Sequence, residues 1–307
     1  MASLEIYLLN VGQADTSVIK TPAGNVIVID AVRPKKLKAV LQALRPDGEI
    51  AHLIVTHPHN DHYGGVDTLL AFFRVGRVTL APFWHEPGPP GYHVLINKMN
   101  DLGVPVRFLS GYERTLPDGG TFPEFADKPM FELLGPSNSA LDVLAKSKVL
   151  TPNHLSVISR LTYGKFSMVF AADAQMENWA HFDQEGLLDA KCDVLRAAHH
   201  GSKRGSQWER LERLSPSLVV VSSDPDGAHH LPDAIGSAIF MELNQGYGRR
   251  VALTRATGTI KIEVPSAEGT SRKISAYGED LDENPFAHPA GPLPPTDWAE
   301  LLKKRLA

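Results

Sequence analysis

Apolar positions along this chain follow two rhythms: short runs and alternations bounded by turn residues, and spacings of three and four. The first rhythm predicts strands over residues 4–10, 16–21 and 26–31, the last two joined by a turn at Pro22-Ala23-Gly24-Asn25. The second predicts a helix from Pro34 to Leu44, where Leu37, Val40, Leu41 and Leu44 share one face. A buried strand over 52–56 follows, and Gly64-Gly65 then opens a helix carrying Val66, Leu69, Leu70 and Phe73. Strands at 77–81 and 104–109 flank a helix near 92–102. Further strands are predicted at 155–163, 167–172, 193–198, 217–222, 249–254 and 259–264, with Gly164-Lys165 as a tight turn. The Pro- and Gly-rich stretch from Trp84 to Gly91 reads as a surface loop over the site, and His85 and His93 as exposed or structural.

After Val264 the composition shifts to Gly, Pro, Ser and acid, so 265–295 reads as a tail or linker. A short helix to about Leu306 follows, capped by Thr296 or Asp297, with Trp298, Leu301, Leu302 and Leu306 on one face. The expected division is one domain over 1–264 and a tail with an amphipathic helix over 265–307. Docking on the parent domain is the expected use of that helix; a protein partner or self-association is the other reading.

Candidate chemistry is densest at His57-Pro58-His59-Asn60-Asp61-His62, just past the apolar run Leu53-Ile54-Val55. Imidazole and carboxylate together suit divalent zinc, manganese or iron. Such a packed set cannot converge on one ion from a straight strand, because successive side chains point to opposite faces. From a loop at a strand end, the alternation favours His57 and His59 on one ion and Asp61 and His62 on a second. Two other predicted strands also end in candidate ligands, 167–172 in Asp173 and 193–198 in His199-His200. Ligands at strand ends along one rim suggest two packed sheets with a metal site at their shared edge. Alternation also argues that only one of His199 and His200 coordinates; His199, ending the strand, is the expected ligand, and His200 is expected to hydrogen-bond the substrate or a carboxylate behind the ligands. Asp15 and Asp30, near the ends of the first strands, are expected to hydrogen-bond ligand histidines.

The chain has 307 residues, a formal charge of −4 and a single cysteine, Cys192, read as a core residue. One cysteine excludes an internal disulfide and suits a reducing cytoplasm, the expected location. No apolar run is long enough to span a membrane, and the first residues lack the pattern of a signal peptide. The overall charge does not suggest a nucleic-acid binder, so a nuclease would need local positive charge. Lys203 and Arg204, directly after His199-His200-Gly201-Ser202, supply it; Lys35, Lys36 and Lys38 read as a solvated helix face.

The histidine-aspartate motif resembles the metal-binding signature of the metallo-β-lactamase superfamily. The resemblance runs in order from about residue 4 to about residue 264, and is to the metallo-β-lactamase-like domain of ComEC-type competence proteins. It includes Leu9-Asn10-Val11-Gly12-Gln13-Ala14-Asp15-Thr16, the segment Thr21 to Asp30, and Asn153-His154-Leu155-Ser156-Val157. It also includes Ala171-Ala172-Asp173-Ala174 and the segment from Asp193 to Ser202. Ala14 and Ala172 depart from it, standing where glycine is usual or frequent. The resemblance implies an α/β fold, an αββα sandwich of two packed mixed sheets with outer helices. It also implies two divalent ions, zinc first and manganese second, with Asp173 as their bridge. Many superfamily members place a third histidine before the central strand of the second half, where the competence-type relatives tend to have asparagine. His154 is therefore a candidate ligand and Asn153 a candidate substrate contact. His229 and His230 match a late Gly-His-Pro element, which makes His230 a candidate proton donor or phosphate contact.

The full expected set is His57, His59, Asp61, His62, His154, Asp173 and His199 for metal. Asp61, His200 and His230 are expected in catalysis, and Asn153, Ser202, Lys203 and Arg204 on the substrate. The leading expectation is a metal-dependent hydrolase, a phosphodiesterase or nuclease using hydroxide held between two ions, with DNA or RNA as substrate. The alternatives are a hydrolase of a lactone, thioester or small phosphoester, and a non-catalytic metal-stabilised binding module. Diiron redox chemistry would normally put glutamate where His59 stands.

Overall fold

Along the first strand Leu4, Ile6 and Leu8 point into one apolar cluster and Tyr7 into another, the two-residue period of a strand buried on both faces. The same split recurs at Ile27 and Ile29 against Val26 and Val28. The computed structural model describes residues 3–82, 90–109, 112–113, 129–186, 188, 190–227 and 229–307. The early chain forms β1 (Leu4–Leu8), β2 (Ser17–Lys20), β3 (Val26–Ile29), β4 (Glu49–Ile50), β5 (His52–Val55), β6 (Arg74–Val75), β7 (Val78–Leu80) and β8 (Val106–Phe108). Next come β9 (Tyr112–Glu113), β10 (Met130–Leu134), β11 (Ile158–Tyr163), β12 (Phe166–Phe170), β13 (Val194–Arg196), β14 (Leu218–Val221) and β15 (Arg250–Leu253). β16 (Ile260–Val264), β17 (Lys273–Ala276) and β18 (Gly291–Pro292) end the series.

These strands build a nine-stranded sheet, β18-β17-β16-β1-β2-β3-β5-β7-β8, and a seven-stranded sheet, β15-β14-β13-β12-β11-β10-β9. β4 and β6 form a small parallel pair beside them. Between the two large sheets lies one core, to which Ile6, Ile27 and Ile54 contribute from the first and Phe131, Leu161 and Phe170 from the second. Four helices belong to the early chain: α1 (Pro34–Leu44), α2 (Asn60–Tyr63), α3 (Val66–Phe72) and α4 (Pro90–Asp101). Leu37 and Leu41 of α1, Val66 of α3 and Met99 of α4 cover the outer face of the first sheet. The later helices are α5 (Asn138–Lys146), α6 (Met176–Gln184), α7 (Trp208–Leu214), α8 (Ala234–Gln245), α9 (Thr254–Thr257) and α10 (Trp298–Leu306). Trp179 of α6, Leu214 of α7, Phe240 of α8 and Trp298 of α10 cover the outer face of the second sheet. The four layers are the expected αββα arrangement.

Residues 265–295 differ from their reading as a tail. They carry β17, paired antiparallel with β16, and β18, paired with β17. Glu279 in the same stretch is buried with Lys36, Nζ 3.0 Å from Oε1 and both side chains at 0% exposure. Composition misleads here because the strands are short and only Ser275 and Ala276 of β17 are buried. The final helix forms as expected, with the Asp297 side chain accepting from the Glu300 N–H. Its apolar face is consumed within the chain: Trp298 packs on Phe240 and donates its indole N–H to the Val251 carbonyl at 2.9 Å. Leu306 stays 72% exposed. His85 and most of the Trp84–Gly91 loop lie outside the described residues. Among the described residues no helix is long and apolar enough to cross a membrane.

Candidate metal centre

β3, β5 and β7 run parallel, as do β12, β13 and β14, and the carboxyl ends of β3, β5, β12 and β13 deliver the site. This is where open α/β sheets leave a crevice. His57, His59, Asp61 and His62 follow β5; Asp173 follows β12; His199 and His200 follow β13.

Asp173 is 2% exposed and lies at the centre. Its Oδ1 is 3.3 Å from His62 Nε2 and 3.5 Å from His200 Nε2. Its Oδ2 is 3.7 Å from His57 Nε2 and 3.7 Å from His199 Nε2. Two groups of ligand-type atoms share this carboxylate: Asp61, His62, Asp173 and His200, and His57, His59 and Asp173. The partition of the loop is the one alternation predicts. His62 Nε2, His200 Nε2 and Asp173 Oδ1 are buried without a hydrogen-bond partner among the described residues, and they face one another. Orphaned buried polar atoms are costly unless something satisfies them, and a divalent cation would satisfy all three. The residues therefore fit a metal.

The histidines after β13 depart from the alternation argument. The strand ends at Arg196, and Ala198–Gly201 is a tight 3-10 turn in which His199 and His200 both take left-handed φ, 48° and 52°. His200, not His199, joins the four-residue group. His199 sits at the rim, its Nε2 3.1 Å from the Asn153 amide nitrogen and its Nδ1 3.0 Å from Ser202 Oγ. Gly201 closes the turn at φ +81°, where an added Cβ would lie 2.8 Å from the Phe240 ring. Ala172, also left-handed at φ 48°, occupies a conformation that favours glycine, whereas Ala14 is not a positive-φ residue.

His154 stays outside both groups. On the tight turn Pro152–Leu155 adjacent side chains diverge, so Asn153 faces His199 while His154 turns away. His154 Nδ1 accepts from the Thr151 N–H at 2.9 Å, and its Nε2 lies 3.3 Å from Glu177 Oε2. His230 is also elsewhere: it is exposed and lines a depression with Arg255, Lys304 and Arg305. Arg204 pairs with Glu177 at 3.1 Å, while the Lys203 side chain is exposed and makes no ion pair among the described residues.

Residues behind the side chains of the two groups orient them. The Asp30 carboxylate takes His62 Nδ1 at 2.7 Å and the Thr56 N–H and hydroxyl at 2.8 Å each. His200 Nδ1 lies 2.9 Å from the Ser222 carbonyl and 3.6 Å from Asp15 Oδ1. Asp30 thus hydrogen-bonds a histidine as expected, whereas Asp15 stands beyond hydrogen-bond distance of His200, whose Nδ1 is taken by the Ser222 carbonyl. Ser222 and Thr56 were not singled out from sequence, although both stand directly at the ends of predicted strands, where they could be found.

Burial holds the His57, His59 and His199 imidazoles below their usual range. Burial also opposes charge on His62 and His200, but carboxylates overcome it. Asp173 and Asp30 raise His62 well above its ordinary value, and Asp173 and Asp61 raise His200 to about 9. Burial would lift Asp173, yet His200 and His62 hold it well below the carboxylate range. In the ion-free protein, His62 and His200 therefore keep protons that the unfolded chain releases near pH 6.5. Their stabilisation is complete below pH 6.5 and is lost as pH rises through about 9 for His200. The depressed histidines are neutral in the folded state throughout; the unfolded chain sheds their last protons just above pH 6.5, so they add no slope over the rest of the window. Chelator-stripped protein should thus melt at progressively lower temperature from pH 6.5 to 9, whereas ion-loaded protein, whose ligands are already deprotonated, should not. A flat melting profile of the stripped protein would remove protons from this cluster.

A rim of histidines and aspartates around one central carboxylate, at the edge of an αββα sandwich, is a donor set that fits divalent cations. The chain belongs to the metallo-beta-lactamase superfamily, whose profile matches residues 9–223. Most members of that superfamily are metallohydrolases. The chain is 24% identical over 296 residues to ComE operon protein 3 of Bacillus subtilis, covering 89% of this chain and 34% of that protein. It is 24% identical over 185 residues to Recombination protein 2 of Haemophilus influenzae, covering 60% and 19% respectively. It thus spans about a third and a fifth of these relatives' lengths. Among solved structures it resembles CmlA, a diiron beta-hydroxylase from Streptomyces venezuelae, at TM-score 0.53 and 17% identity over 82% of this chain and 52% of that one. That likeness concerns the fold alone.

Proposed function

We propose that this protein is a metal-dependent phosphodiesterase acting on nucleic acid. The observation that carries the reading is Asp173, whose two oxygens face two different ligand groups. One ion would be held by His57, His59 and Asp173, the other by Asp61, His62, His200 and Asp173. Divalent ions there, zinc first and manganese second, supply charge to a phosphoryl oxygen and lower the pKa of water from about 15.7 towards about 7. His199 is assigned a substrate role. Its imidazole is neutral near pH 7 because burial lowers its pKa, its side chain is 21% exposed, and Ser202 and Asn153 hold its two nitrogens. A substrate oxygen that displaces the Asn153 amide from Nε2 can exchange a proton with it, while Ser202 keeps Nδ1. Ser202 then acts by orienting His199.

The nucleic-acid part rests on the resemblance to competence-type domains, implicated in degrading one DNA strand during uptake, and on Lys203 beside the site. Because the chain covers about a third of the competence-type relative, uptake itself is not inferred. A small-substrate hydrolase is the second reading; it is favoured by Glu177, which already neutralises Arg204, and by the overall charge of −4.

A comparison of single-stranded DNA, RNA and bis-para-nitrophenyl phosphate separates the two. Lys203→Ala with Arg204→Ala is expected to weaken DNA cleavage more than cleavage of the small diester. Loss of two phosphate contacts should flatten the slope of log affinity against log salt by about 1.4 on single strands. Wild type that cuts the small diester but neither binds nor cuts nucleic acid at low salt would sink the nuclease reading and leave the small-substrate hydrolase.

A further inference from the structure

The opening motif, Asn10 to Thr16, supplies no member of the two groups around Asp173, yet it touches elements that do. The Asp15 backbone N–H donates to the Asp61 carbonyl at 3.0 Å. The Asp15 carboxylate stands 3.6 Å from His200 Nδ1. Ala14 takes part as well: its carbonyl accepts the Ser222 hydroxyl at 2.7 Å, and the Ser222 carbonyl lies 2.9 Å from that same His200 nitrogen. One turn of chain thus braces Asp61 through its backbone and His200 from behind.

What holds the turn comes from the other sheet. Arg196, on β13, is 2% exposed and points into the gap between the sheets. Its Nη2 lies 2.8 Å from Asp15 Oδ1, and its Nη1 donates to Ser17 Oγ at 2.5 Å. Asp15, Asp30 and His62 also cluster closely, so two buried carboxylates stand side by side there. His62 answers Asp30, and the Arg196 guanidinium answers Asp15. Buried carboxylates are retained only where such charges are paired.

We propose that Asp15 and Arg196 form a clamp that positions Asp61 and His200 for the second ion, the one held away from His57 and His59. The proposal rests on the two-ion reading of the site. Neither Asp15 nor Arg196 contacts His57 or His59 among the described residues, so the clamp acts on one ion site and not on both. A guanidinium suits the task because its planar fork spans a carboxylate on one side and a hydroxyl on the other. Asp15 and Arg196 are positioning residues: they act through Asp61 and His200.

The test is a zinc titration of the chelator-stripped protein against a competing chromophoric indicator, with bound metal counted by mass spectrometry. Wild type, Asp15→Asn, Arg196→Met and the double variant are compared. Wild type should take up two ions in separable steps. Asp15→Asn and Arg196→Met should weaken the second step by about 10–100-fold, the range for partners behind a metal ligand, and leave the first unchanged. The double variant removes both charges together and leaves no unpaired ion buried, so it should stay folded by circular dichroism with the second step still weakened. Equal weakening of both steps would reduce the pair to a general brace and overturn the proposal, as would wild-type affinity at the second step in folded Asp15→Asn. Wild type that never holds a second ion would overturn the two-ion reading itself, and the clamp with it.

Discussion

Asp173→Asn is expected to lower kcat/KM for bis-para-nitrophenyl phosphate by more than about a hundredfold, because changes to partners behind a ligand alone cost 10–100-fold and Asp173 stands in front of them. The physical reason is its double service: one oxygen faces His62 and His200, the other His57 and His199. An amide of the same shape keeps the volume but gives up the negative charge that two cations would share. The fold should survive, since Asp173 lies beyond the end of β12 and packs against imidazoles, not among the apolar side chains between the sheets. Metal content should fall from two ions to one or none. A folded Asp173→Asn protein with wild-type turnover and metal content would end the assignment of this carboxylate as the shared ligand.

Glu279→Ala should be the costliest single change away from the site, about 3–5 kcal/mol, the typical cost of removing one partner of a buried ion pair. The Lys36 ammonium would be left among the Asn10 and Asp280 carbonyls without a counter-charge, and the Thr259 N–H and hydroxyl would lose their acceptor. Lys36 already has a lowered pKa because of burial, which the Glu279 charge only partly offsets. At roughly 2–4 °C per kcal/mol for chains approaching this size, the loss in melting temperature is on the order of 10 °C. Glu279→Gln should cost less, since it keeps an oxygen for Thr259. Thermal melts of both variants check the order; a Glu279→Ala protein that melts like wild type would mean that the pair fastens nothing.

Local patterning carried the prediction furthest where the signal is local. The helix predicted from Pro34 to Leu44 has those bounds in the structure, because its apolar spacing and its proline start lie within one short stretch. The strand before the histidine loop and the division of that loop into two pairs were legible for the same reason. Reading failed where position depends on partners far along the chain. β17 is a strand because β16 offers it an edge, and nothing in residues 273–276 announces that edge. The helices α5, α6, α7 and α8 and the strand β10 were not anticipated by a reading that followed strand ends. His200, and not the expected His199, joins the four-residue group, because alternation was extended past Arg196 into a left-handed turn that obeys no alternation. His154 and His230 were proposed from resemblance, yet neither joins the groups around Asp173.

β1 lies between β2 and β16, so Leu4 pairs with Val264, Ile6 with Ile262 and Leu8 with Ile260. On a ribosome this order is a delay. At about 5–20 residues per second, the strand that closes over β1 is made roughly tens of seconds after β1 itself. Throughout that interval the first sheet presents a bare edge whose side chains, Leu4, Ile6 and Leu8, are wholly apolar on one face. Such an edge is a template for any other extended chain nearby, including a second nascent copy. Expression yield should therefore be governed less by the stability of the finished protein than by how well that edge is sheltered while the chain between β1 and β16 is being made.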